Sequence, residues 1–278
     1  MTREAGTSRP FAFEGARGDR LAGRIEPPEG PPRGWAILAH CFTCGKDGLA
    51  AVRVARALAR SGIGVLRFDF VGLGDSGGSF GAAGFAGDVG DLVAAGEAMA
   101  DAAMAPSLLV GHSLGGAAAL AAAGDMPGIT AVATIAAPAD LRHVLHHLDP
   151  DELRRVMETG EGEVAIARRR FVLHRAFVEC MDGYDIAARV ASLRRALLVL
   201  HAPRDEVVGI DHAARLFAAA RHPKSFVSLD TADHLLSRAE DAGYAAAMIA
   251  AWASRYLPPL APGDTLDGTT GREGFADA

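Results

Sequence analysis

An α/β fold, with a mostly parallel central sheet flanked by helices, is what this sequence predicts. Three observations carry the expectation. Short β-rich runs alternate with longer Ala/Leu/Arg segments, the β-α-β-α order that builds a parallel sheet with helices on both faces. Trp35-Ala-Ile-Leu-Ala39 is apolar throughout, as a strand covered on both faces should be. The 278 residues, half of them hydrophobic and 22% charged, suffice for one large core that buries roughly three quarters of the unfolded surface.

In chain order, Phe11–Phe13 and Leu21–Ile25 read as two edge strands with a Gly-Asp turn signal between them. Glu26–Gly34 carries four prolines and interrupts the pattern. The Trp35–Ala39 strand follows. Gly48–Ser61 places Val52, Ala55, Leu58 and Ala59 on one helical face and stops at Gly62. Val65–Phe68 is a strand, Phe85–Met104 a helix, Ser107–Val110 a strand and Leu114–Ala123 a helix. Thr130–Ala136 is the sixth strand. Ala196–His201 and Ser225–Leu229 continue the sheet, and Asp241–Tyr256 closes it as a helix. The interval between Thr130–Ala136 and Ala196–His201 is about sixty residues, far longer than an ordinary crossover. It reads as a cap insertion after the sixth strand: a helix over Arg142–Thr159, a hairpin over Val164–Leu173 turning at its arginines, and a helix over His174–Met181. The expected division is a core of residues 10–138 and 191–257, a cap of residues 139–190, and a disordered tail or linker at 261–278, where apolar content is low.

Composition narrows the function. A net charge of −6 gives nucleic acid no electrostatic attraction. No apolar run is long enough for a membrane span, and Met1–Asp19 lacks the apolar core of a signal peptide. The three cysteines, Cys41, Cys44 and Cys180, form no even framework and fit free thiols in a reducing cytoplasm.

Chemistry concentrates at Gly111-His112-Ser113-Leu114-Gly115-Gly116, between a strand and an Ala-rich helix. That is the context a G-x-S-x-G nucleophile turn requires. The reversal is too sharp for Cβ atoms at the flanking positions. The helix N-terminus behind Ser113 offers free N–H groups and a positive dipole end, so the Leu114 N–H is a candidate oxyanion donor. A serine needs a base. Asp205 follows the Ala196–His201 strand, and His234 follows the Ser225–Leu229 strand. All three therefore fall beyond the carboxyl ends of strands, where open α/β sheets place their sites, in the order Ser…Asp…His. Glu206 and Asp233 are rival acids. Phe42, after the Trp35–Ala39 strand, is the second candidate oxyanion donor.

Several patterns read as bland. Cys41-Phe-Thr-Cys44 spells C-x-x-C but lacks a redox context and two further zinc ligands. His40, Asp69 and Ser76 imitate a chymotrypsin-like set, yet 36 residues between His40 and Ser76 cannot divide two barrels; Asp69 is expected to hold local N–H groups instead. His143, His146 and His147 share a helical face but have no placed carboxylate and read as solvated. No cofactor and no metal site is expected.

On these residues the chain resembles the α/β-hydrolase superfamily over roughly residues 10–257. It is most similar to a bacterial subgroup sharing the segments Leu38-Ala-His-Cys-Phe-Thr-Cys44, Leu66-Arg-Phe-Asp-Phe70 with Gly72-Leu-Gly74, and Gly111-His-Ser-Leu-Gly-Gly116. Hydrolases of that subgroup are often fused to a C-terminal OsmC-like domain, and residues 261–278 would be the remnant of a linker to it. The resemblance implies ester hydrolysis by Ser113, Asp205 and His234 on a small-molecule ester. The first expectation is thus a serine carboxylesterase for short- to medium-chain esters. The second is acyl transfer, thioester cleavage or peptide cleavage by the same residues. The third is an idle ligand-binding protein on this fold, against which the intact triad argues.

Overall fold

The computed structural model describes residues 7–80, 84–166, 169–181 and 184–258; the expected tail at 261–278 lies outside them. Eight strands form one sheet: β1 (Arg9–Glu14), β2 (Arg20–Glu26), β3 (Gly34–Ala39), β4 (Ile63–Phe68), β5 (Leu108–His112), β6 (Ala131–Ile135), β9 (Ala196–His201) and β10 (Lys224–Ser228). Their order is β1-β2-β4-β3-β5-β6-β9-β10. Pairing is antiparallel from β1 through β4 and parallel from there on. This is the mostly parallel α/β sheet expected.

The interior strands β4, β5, β6 and β9 are buried at every residue. Their side chains feed two apolar layers, one on each face. Leu66, Leu109, Val132 and Leu197 face the layer shared with α2 (Gly84–Asp101) and α3 (Leu114–Ala122). Val65, Leu108, Ala133 and Leu198 face the layer shared with α1 (Leu49–Arg60) and α8 (Ala239–Ala253). Small residues let helices lie close to the sheet: all nine residues of α3 are buried.

The insertion follows the sixth strand, and its inside differs from the expectation. The single helix over Arg142–Thr159 is two pieces, a 3-10 helix at Leu141–His147 and α4 at Pro150–Thr159. The break is local chemistry. Asp149 accepts from the N–H groups of Asp151 and Glu152 at 2.8 and 3.1 Å, and Pro150 starts α4, so the chain is capped anew. The hairpin is longer than expected, β7 (Glu161–Ile166) against β8 (Arg169–His174). Two short helices follow, α5 (Arg175–Cys180) and α6 (Ile186–Ser192). Leu141, Leu148, Val156, Val164, Leu173, Phe177, Ile186 and Val190 are buried in the same apolar layer as α2 and α3, so this segment is packed onto the core. A further helix, α7 (Ile210–Ala219), precedes β10. No helix among the described residues is long and apolar enough to cross a membrane.

Candidate active site

The turn from β5 into α3 is set by steric exclusion. A Cβ on Gly111 would fall on the Gly115 carbonyl oxygen, and one on Gly115 would fall on the His40 and Ala39 carbonyl oxygens. Ser113 between them has φ +55°, a left-handed conformation that costs a non-glycine residue of order 1–3 kcal/mol and clusters at functional sites. The Ser113 N–H donates to Ile135 O at 2.8 Å, which ties the turn to β6.

Three loops converge there. The Ser113 hydroxyl lies 3.0 Å from His234 Nε2, and His234 Nδ1 lies 2.8 Å from Asp205 Oδ2. With the Nδ1 proton donated to the carboxylate, Nε2 is left as the acceptor for the hydroxyl. The other Asp205 oxygen accepts the N–H groups of Val207 and Val208, both at 2.9 Å. Burial alone would raise the Asp205 carboxyl, but the bonds from His234, Val208 and Val207 hold it below the ordinary carboxylate range. Asp205 is therefore ionised at neutral pH. Ser113, Asp205 and His234 are each less than 9% exposed.

The rival acids stand elsewhere. Asp233 accepts from the Ser237 N–H at 2.8 Å, and Glu206 is exposed. Ser76 Oγ donates to the Asp69 carbonyl at 2.6 Å and accepts from Ala22. Asp69 takes the N–H groups of Lys46 and Asp75 and the Lys46 ammonium at 2.8 Å. The His40/Asp69/Ser76 pattern is thus a brace under the loop after β3, as its local reading required.

Two histidines escaped notice. His112 Nε2 donates to the His234 carbonyl at 2.7 Å, with the two rings 5.3 Å apart. Burial, then the neighbouring His234, push His112 down to about 4, so it is a neutral prop. His201 Nε2 likewise donates to Val208 O at 2.7 Å and steadies the acid loop. The signal for His112 was its placement in phase with Val110 on a strand that runs two residues further than expected. His146 and His147 are exposed, in keeping with a solvated face, while the ring Nε2 atoms of the half-buried His143 and of His147 meet the Val207 carbonyl, His147 at 3.1 Å. The 3-10 helix turns them toward the acid loop. No metal-binding group of three or more His, Cys, Asp or Glu exists among the described residues.

Phe42 and Leu114, the residue after Ser113, both line a pocket with Phe70, Phe80, Asp88 and Phe177. Neither backbone N–H has an acceptor among the described residues. Phe42 belongs to a clamped loop. Cys41 and Cys44 form a disulfide across one turn, which corrects the expectation of free thiols for this pair; Cys180 is free. The Cys44 N–H donates to Cys41 O at 3.0 Å, and that turn brings the Cα atoms to 5.3 Å, within bridging range. The Phe42 ring stacks on Phe177 of the insertion at 5.5 Å.

Comparisons with known proteins support the fold. A family model described as serine aminopeptidase, S33, matches residues 30–159. The esterase domain of a Rhodothermus marinus protein is 45% identical, covers 90% of this chain and 99% of its own, and superposes with a TM-score of 0.75. Est1E from Butyrivibrio proteoclasticus, solved with ferulic acid bound, shares the fold at 20% identity, with 85% and 96% of the two chains covered and a TM-score of 0.70. No curated protein matches the chain.

Proposed function

The chain belongs to the α/β-hydrolase superfamily, and from that premise we propose that this hydrolase is a serine carboxylesterase for short- to medium-chain esters. The observation that carries the reading is the unbroken relay from Asp205 through His234 to the Ser113 hydroxyl, at 2.8 and 3.0 Å.

Ser113 Oγ attacks the ester carbonyl while His234 Nε2 takes its proton. Asp205 stays ionised, holds the imidazole tautomer and stabilises the imidazolium. The oxyanion of the tetrahedral intermediate is received by the N–H groups of Phe42 and Leu114, each donor worth about 2.7–4 kcal/mol. Collapse breaks the C–O bond, and His234 returns its proton to the leaving alkoxide. Water, deprotonated by His234, then attacks the acyl-Ser113 ester and frees the acid and the serine.

The pocket and the insertion support the substrate class. The cavity beside Leu114 is about 20 Å³, the space of roughly one water, so the acyl end of the site is narrow. In the insertion Met157 and Val172 are the large hydrophobic side chains exposed among the described residues. A lid that opens on lipid needs a broad apolar face, so the insertion acts as a fixed cap. Specificity constants over a series of p-nitrophenyl esters should rise by about 0.8 kcal/mol per methylene and then fall when the wall is reached. A rate jump on emulsified long-chain triglyceride would contradict the cap.

The serine aminopeptidase description of the matching model favours one further reading, release of an N-terminal residue from a peptide by the same relay. Aminoacyl p-nitroanilides separate the two: turnover faster than that of p-nitrophenyl esters would favour the peptidase.

A further inference from the structure

The pocket beside Leu114 is walled by aromatic rings. Phe42 lies 5.6 Å from Phe80 and 5.5 Å from Phe177, and Phe80 lies 6.1 Å from Phe177. One carboxyl group stands in this wall, that of Asp88 on α2. Among the described residues nothing donates a hydrogen bond to it and no cation pairs with it. The other enclosed carboxylates nearby are served: Asp91 by the N–H groups of Ala16 and Val71, both at 3.2 Å, and Asp69 by Lys46 and Asp75. Burial, and then the like charge of Asp91, push the Asp88 carboxyl well above its ordinary range. The shift is toward the protonated form, which can donate as well as accept. A second polar atom of the same wall is unserved. His40 binds the Cys41 carbonyl through Nδ1 at 2.9 Å, while its buried Nε2 has no partner.

The buried His40 Nε2 without a partner costs about 1–3 kcal/mol, and the Asp88 carboxyl beside it is half-buried. Nothing in the packing calls for a carboxyl at position 88, since its pocket neighbours are mostly apolar. Where a site buries polar groups of its own, a substrate carrying the matching hydroxyl is selected and its plain analogue is penalised. The small volume confines that hydroxyl to a short acyl group.

We propose that Asp88 is a specificity-determining residue of the acyl pocket, hydrogen-bonding a hydroxyl on a short acyl chain, so that hydroxyalkanoate esters are the preferred substrates. This rests on the Ser113 reading above. An Asp88 carboxyl oxygen accepts the substrate hydroxyl proton, and the protonated carboxyl also donates to the hydroxyl oxygen. No covalent bond changes at Asp88.

The test compares kcat/KM for ethyl butanoate with those for ethyl 2-hydroxybutanoate and ethyl 3-hydroxybutanoate in a pH-stat, for wild type, Asp88→Asn and Asp88→Leu. The wild type should favour one hydroxy ester by about tenfold or more, as one good hydrogen bond to a buried partner allows. Asp88→Asn, which still donates and accepts, should keep most of that ratio, and Asp88→Leu should bring it to about one. A merely structural role would slow all three esters alike, and an unchanged ratio in Asp88→Leu would overturn the assignment. So would a preference for an aminoacyl ester that vanishes in both variants, because it would assign a cation to Asp88. Calorimetric titration of Ser113→Ala with the same esters is independent of turnover. Tighter binding of a hydroxy ester, lost in Ser113→Ala/Asp88→Leu, supports the proposal even if the nucleophile reading fails. Equal binding in the two backgrounds overturns the proposal even if that reading stands.

Discussion

The nucleophile turn and the insertion are held by opposite means. At the turn, backbone meets backbone: the Cβ positions of Gly111 and Gly115 are closed by carbonyl oxygens, and one of Gly116 would lie 2.6 Å from Ala137 Cβ. Nothing there can shift without moving β3, β5 and β6 together. In the insertion, a few apolar side chains such as Val156, Val164, Leu173 and Phe177 hold the inner face. The outer face carries exposed ion pairs such as Arg154–Asp151 at 2.6 Å and Arg170–Glu163 at 3.0 Å. The first arrangement fixes the backbone of the turn around Ser113. The second fixes a wall, which can differ in sequence and still close a pocket. The two parts thus differ in what holds them, backbone exclusion in one and side-chain packing in the other.

The contrast is sharpened most by the acids. Asp205→Asn leaves the shape but mis-sets the His234 tautomer, so kcat/KM should drop by on the order of 10⁴. Asp233→Asn keeps an acceptor oxygen for the Ser237 N–H and should stay within a few-fold of wild type. Steady-state kinetics on one soluble ester decides; a crippled Asp233→Asn would transfer the acid role and break the picture of the relay.

A smaller effect concerns the prop beneath His234. His112 is buried and pushed down to about 4 from an ordinary 6.5. The folded state then binds fewer protons than the unfolded chain between those values, so this contribution to stability is complete above about 6.5 and is lost as pH falls toward 4. At pH 4.5 the loss amounts to about 2–3 kcal/mol relative to pH 7.5. His112→Gln, whose amide can still donate to the His234 carbonyl, should lose less stability over the same interval. Urea midpoints at the two pH values measure the difference; equal losses in both proteins would remove His112 from the account.

The smallest effect is expected on the outside of the insertion. Arg154→Ala removes an exposed i,i+3 pair and should change stability by less than about 0.5 kcal/mol, with kcat/KM unaltered. A large loss there, read from the same urea curves, would make the insertion as intolerant as the turn.

What could be read without the structure follows the same division. Gly111-x-Ser113-x-Gly115 was legible because excluded volume acts on neighbours in sequence, and Asp205 and His234 because each sits one short loop beyond a strand. The sheet was legible because interior strands such as Leu197–Leu200 are apolar without interruption. The insertion was read less well. The break at Asp149-Pro150 carries a cap and a helix-starting proline, yet the apolar run of Leu141, Val144, Leu145 and Leu148 masked it. The helices Ile186–Ser192 and Ile210–Ala219 were not anticipated, since each is short and mixes charges with alanines. Asp88 had no local signal at all. Its meaning comes from Phe42 and Phe177, which are far from it in sequence and reach it only through the fold.

The central claim is that Ser113 is the nucleophile, and covalent capture tests it most directly. A fluorophosphonate probe, followed by peptide mass spectrometry, should place one adduct on Ser113, and Ser113→Ala should take up no label while its circular dichroism spectrum is retained. Labelling of Ser113→Ala at the wild-type rate, or an unlabelled Ser113 in the folded wild type, would contradict the account.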